Sequence, residues 1–71
     1  MNKTIRIHNS TGAELYVSIE PIGEGYPLNP AEALSVTAEY ELNDDGSIDI
    51  AIGPEDTVSV FVEEEAVVEK V

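Results

Sequence analysis

Three groups of residues in this chain have types and spacings that invite chemistry. The first is Glu41-Leu42-Asn43-Asp44-Asp45-Gly46-Ser47-Ile48-Asp49-Ile50-Ala51-Ile52. Laid on an EF-type calcium loop, it supplies oxygen ligands at positions 1, 3, 5 and 9, Gly at 6 and an apolar residue at 8. Position 12, where such a loop needs a bidentate Glu, holds Ile52, and alternating residues rather than helical ones flank the segment. It therefore reads as a hairpin turn with solvated carboxylates, leaving Asp44, Asp45 and Asp49 as at most a weak, adventitious Ca²⁺ site. The second is His8, the single histidine. A nucleophilic triad would have to combine it with one of Ser10, Ser18, Ser35, Ser47 or Ser59 and an acid, and no Gly-x-Ser-x-Gly elbow is present. With neither a second His nor a Cys to share a metal, His8 reads as a surface residue. The third is the abundance of carboxylates. Acid–base pairs of the glycosidase kind need two carboxyls across a cleft, one with a raised pKa, and many scattered acids single out no pair. A domain of this size is also expected to have little room for a pocket of ~300 Å³ or more. The chain is expected to be non-enzymatic and to need no cofactor.

These side chains are carried by a short acidic chain. It has 71 residues, with 15 Asp plus Glu against 3 Lys plus Arg, a formal net charge of -12, and no Cys. That length allows one domain, spanning 1–71. The scarcity of cations excludes a phosphate-neutralising nucleic-acid binder, and the lack of Cys excludes a disulfide scaffold and thiolate metal sites. No stretch approaches a membrane span, and the first residues lack the apolar core of a secretory signal, so a cytoplasmic protein is expected.

The period of the apolar residues is two. Ile5 and Ile7 alternate with polar neighbours, as do Leu15, Val17 and Ile19; Leu34, Val36, Ala38 and Tyr40; Ile48, Ile50 and Ile52; and Val58, Val60 and Val62. A shorter run, Ala66-Val67-Val68-Glu69-Lys70-Val71, follows. Each run offers one apolar face, and the β-branched residues suit a pleated, half-buried surface. The expected core is Ile5, Ile7, Leu15, Val17, Ile19, Leu34, Val36, Ile48, Ile50, Val58, Val60 and Val62. Turn chemistry predicts hairpins at Asn9-Ser10-Thr11-Gly12, Asn43-Asp44-Asp45-Gly46 and Gly53-Pro54-Glu55-Asp56, with Glu63-Glu64-Glu65 turning into the last run. The Gly- and Pro-rich segment 21–33 is the expected crossover between sheets, with an extended edge-type piece around Pro27. These elements predict an all-β fold, a small antiparallel β-sandwich or partly closed barrel of five to six strands.

The stretch Glu20-Pro21-Ile22-Gly23-Glu24-Gly25-Tyr26-Pro27-Leu28-Asn29-Pro30-Ala31-Glu32, after an Asn-Ser-Thr turn and a Leu-x-Val-x-Ile strand, resembles a pattern of small uncharacterised bacterial β-sandwich domains. Ala31 stands where that pattern usually has Gly. The resemblance covers about the first half of the chain. It implies a β-sandwich and brings no activity and no functional residue.

The charge distribution is the most informative functional feature. All the acids lie between residues 7 and 69, a span with no Lys or Arg; Lys3 and Arg6 precede it and Lys70 follows it. Such a surface keeps a protein soluble and keeps strand edges from pairing. It also suits a small protein-interaction or structural module. Alternatives are an acidic decoy or inhibitor, a nucleic-acid mimic or immunity-type protein that binds a basic protein surface, and a weak calcium-binding β-domain. The expected contact residues are Glu39, Glu41, Asp44, Asp45 and Asp49 on the third and fourth runs, with Glu63, Glu64 and Glu65. No nucleic acid or membrane partner is expected, and the chain is expected to be a monomer or an edge-strand homodimer.

Overall fold

Strands with one apolar face must bury it against another layer, and this chain does so with two stacked sheets. The computed structural model describes residues 2–39, 48–62 and 66–71. They form β1 (Asn2–His8), β2 (Leu15–Glu20), β3 (Glu24–Leu28), β4 (Ala33–Glu39), β5 (Asp49–Gly53), β6 (Thr57–Phe61) and β7 (Ala66–Lys70). The three-stranded sheet has the order β1-β4-β7 and the four-stranded sheet the order β3-β2-β6-β5. The sheets do not close into a barrel, so the fold is a small β-sandwich. It has one strand more than the upper expected number, because the extended piece around Pro27 is a full edge strand, β3.

Burial follows the position of a strand in its sheet. Central β4, β2 and β6 supply Leu34, Val36, Ala38, Val17, Ile19, Val58 and Val60, and Leu28 of edge strand β3 and Val62 complete the buried cluster. Ile5, Ile7, Leu15 and Ile48 are half-buried and pack against it. Ile50 departs from expectation: it is 52% exposed, and Ile52 beside it is 84% exposed. Both lie on the inner face, since Ile50 is in register with Val60 and Ile52 with Val58. A four-stranded sheet facing a three-stranded one leaves an outer strand without cover, and among the described strands β5 is the one so exposed.

Strand pairing also departs from the expected hairpins. β1 and β2 lie in different sheets, so 9–12 crosses between sheets instead of closing a hairpin. β4 and β5 are likewise in different sheets, as are β6 and β7, so the segments containing 43–46 and 63–65, both outside the described residues, do not join paired strands. The hairpins are β2–β3 through 21–23 and β5–β6 through 54–56. Within 21–33, only 29–32 crosses between sheets. Pairing is antiparallel except between β2 and β6, which run parallel with Val17 opposite Val58 and Ile19 opposite Val60. Asn, Ser, Gly and Pro permit a reversal of the chain without specifying which sheet receives the next strand.

Candidate functional site

The topology sorts charge. Lys3 and Arg6 lie on β1 and Lys70 on β7, so all three cations belong to the three-stranded sheet. The four-stranded sheet has none; it carries Glu20, Glu24 and Asp49 on its strands and Glu55 and Asp56 in its β5–β6 turn. The separation follows from sequence order: the cations sit at the two ends of the chain, and β1 and β7 both flank β4. Like charges with no counter-ion between them reinforce one another's field, and the strands of this sheet hold no cation to offset its acids.

Of the expected contact residues, Glu39 and Asp49 are among those described. Glu39 is exposed at the end of β4, opposite Asn2, and Asp49 is exposed at the start of β5, opposite Phe61. These strands are in different sheets, so the adjacency expected for Glu39 and Asp49 does not form. Glu41, Asp44, Asp45, Glu63, Glu64 and Glu65 lie outside the described residues. The calcium ligand set is therefore represented only by Asp49. Among the described residues, no group of three or more His, Asp or Glu is placed to hold a metal ion.

Glu39 lines an open cleft of about 430 Å³ with Asn2, Ile22, Thr37, Ala66 and Val67. This corrects the expectation that so small a domain lacks room for a pocket of such size. The cleft draws on β1, β4, β7 and the β2–β3 turn, so secondary structure from several parts of the chain builds it. Among the described residues its wall sets the Glu39 carboxylate and the Asn2 amide beside aliphatic surface, with Thr37 Oγ1 bonded to Thr4 Oγ1 at 2.9 Å, a lining that suits an ammonium or guanidinium on an apolar stem.

His8 Nδ1 and Ser10 Oγ are 3.0 Å apart, and both residues are exposed. A base–nucleophile pair also needs a group that orients the imidazole and donors for an oxyanion. Among the described residues no acid bonds to the His8 ring, and this contact ties a side chain to its own loop two residues on.

The loops that position the sheets depend on Asn9, the one buried polar residue among those described. Its Nδ2 donates to Ala13 O at 2.9 Å and Leu28 O at 2.8 Å, and its Oδ1 accepts from Thr11 N at 3.0 Å and Thr11 Oγ1 at 2.6 Å. Its backbone N–H donates to Glu32 O and its carbonyl accepts from Ala31 N. The Asn9 side chain thus ties the 9–14 crossover to the end of β3, and its backbone ties it to the 29–32 crossover. Glu32 Oε1 accepts from the Asn29 N–H at 2.7 Å and meets Lys70 Nζ at 3.3 Å. The Asn29 N–H holds the Glu32 carboxyl below its ordinary value; desolvation opposes it, and Lys70 adds lesser contributions in the same direction as Asn29. On β3, the Tyr26 hydroxyl donates to Glu24 Oε2 at 2.7 Å, and that bond, with burial and the Glu24 charge, pushes the phenol up.

The feature most difficult to read in the sequence is the β5 edge. Ile50 and Ile52 alternate like any buried strand, yet they lie on the outer strand of the wider sheet and are exposed. On the other face of the same sheet, Tyr16 and Phe61 are each 45% exposed. Tyr16 lies over Gly25, where an added Cβ would run into its ring. Among the described residues, no helix is long and apolar enough to cross a membrane. Comparisons of the chain with models of protein families, with curated proteins and with solved structures found no match.

Proposed function

We propose that this protein is a non-catalytic interaction module whose acidic surface docks onto a partner protein bearing a Lys/Arg patch. The observation that supports this reading is the sorting of charge by the fold: every cation is on the three-stranded sheet, and the four-stranded sheet with its β5–β6 turn has only acids. Long-range attraction of this kind speeds encounter and selects against acidic partners. The cleft beside Glu39 supplies a place on the other sheet where a partner's Lys or Arg stem can lie against Ile22 and Val67. In this reading the protein acts in the cytoplasm, a reducing compartment that suits a chain without Cys, and it works without a cofactor.

Paired affinity capture tests the proposal. The wild-type chain and the double variant Glu39→Lys, Asp49→Lys are used as baits in the same lysate at low salt. A basic protein retained by the wild type and lost by the variant supports the reading. Partners that are retained equally by both baits, or that lack a basic surface, overturn it.

A further inference from the structure

The four edge strands of the sandwich are β1 and β7 in one sheet and β3 and β5 in the other. An open edge is a template for another strand, and proteins guard such edges with Lys, Pro or bulges. β1 carries Lys3 and Arg6, β7 carries Glu69 and Lys70, and β3 carries Pro27. β5, Asp49-Ile50-Ala51-Ile52-Gly53, has no Pro and no Lys, and its single charge is at its first residue. Among the described residues it pairs only with β6, in an unbroken register from Asp49 opposite Phe61 to Gly53 opposite Thr57. It is also the strand whose inner-face residues, Ile50 and Ile52, are left uncovered. An unguarded edge and an exposed apolar face therefore coincide on one strand.

We infer that β5 is a strand-addition site that takes an extended segment of another protein, with apolar residues at alternate positions and Lys or Arg at its ends. Such a segment extends the four-stranded sheet by one strand. Its backbone pairs with the open edge of β5, and its apolar residues continue the inner face beside Ile50 and Ile52. Charge selects the occupant. Asp49 lies at one end of the strand and Glu55 and Asp56 at the other, with no Lys or Arg anywhere in that sheet. A segment with basic ends meets an opposite charge at each end. A second copy of this chain fits less well. Antiparallel pairing of two β5 strands centred on Ala51 sets each Asp49 opposite the other copy's Gly53, beside its acidic 54–56 turn, and it brings together two chains of formal charge -12. The inference rests on the proposed function only for the charge of the occupant; the edge itself is argued from pairing and burial.

Titration of the labelled protein by NMR tests both parts. The probes are a short peptide of alternating Val and Thr with Lys at both ends, the same peptide with Glu at both ends, and the Lys peptide N-methylated along the backbone edge that would pair. The Lys peptide should shift the methyls of Ile50 and Ile52 and protect β5 amides from exchange at concentrations up to ~1 mM. The N-methylated peptide should lose that protection, and Ile52→Lys should weaken the Lys peptide at least tenfold. Equal binding of the Lys and Glu peptides at β5 overturns the basic occupant, and with it the inference as stated, while the docking proposal keeps its own test. Binding of the Lys peptide elsewhere, with β5 unshifted, overturns the inference and leaves the docking proposal standing. Failure of every peptide to shift β5 overturns it. So does concentration-dependent dimerisation that Ile52→Lys abolishes, which would identify a second copy as the occupant.

Discussion

At the scale of single residues, the structure concentrates its polar risk in Asn9. The side chain is fully buried, and both its amide donors and its carbonyl oxygen are engaged. Removing it takes the side-chain donor from the buried Leu28 carbonyl and opens a cavity beside the Thr11 turn, and the loss of a buried donor is expensive. Asn9→Ala should destabilise the domain by about 2–3 kcal/mol, and the isosteric Asn9→Asp by at least as much, because two donors become acceptors facing carbonyls. Urea denaturation reads both; a change within noise for Asn9→Asp would contradict the role given to Nδ2. Ala31 sits nearby at φ 72°, a left-handed conformation in which a Cβ is unfavourable. Ala31→Gly should stabilise by about 0.5–1 kcal/mol, the relief of strain exceeding the entropy glycine adds to the unfolded chain. Glu32 gives the same region a pH dependence. Its folded carboxyl titrates below its unfolded one, so its contribution is complete above the unfolded carboxylate range and is lost as pH falls through the depressed folded value. Glu32→Gln should remove that part of the acid limb, as read by thermal melts across a pH series.

At the scale of elements, the period-two alternation was enough to place most strands and most of the core. Val17, Ile19, Leu34, Val36, Val58, Val60 and Val62 are all buried where their parity puts them. What was not legible is pairing. Asn9-Ser10-Thr11-Gly12 has the composition of a hairpin turn, and here that freedom serves a crossover that Asn9 holds with long-range bonds to Leu28 and Glu32. β3 was only half legible, since Pro27 marks an edge but says nothing of the burial of Leu28. Ile50 failed for a different reason: its exposure depends on the relative width of the two sheets, which no local pattern encodes. The contrast yields a direct test. Val60→Asp should unfold the domain by burying an unpaired charge. Ile52→Ser, on the same inner face, should change stability by only about 0.5 kcal/mol because its side chain is largely solvated already. A circular-dichroism melt compares the two; equal damage from both would mean that Ile52 is covered.

At the scale of the whole molecule, a chain of net charge -12 folds so that the strands of one sheet are free of cations. The excess of acid was plain in the sequence, and so was the confinement of Lys3, Arg6 and Lys70 to the chain ends. That both ends fold into one sheet was not, because it depends on β1 and β7 flanking β4. Exposed charges act over a Debye length of about 10 Å at 0.1 M salt, so an encounter steered by this surface must weaken as salt is added. The most direct measurement is the association rate with the captured basic partner, by stopped flow, at low and at physiological ionic strength. The wild type should slow by at least about tenfold over that range, and the Glu39→Lys, Asp49→Lys variant should start slower and depend less on salt, with an unchanged denaturation midpoint. A rate that ignores both salt and the charge reversals would contradict the account.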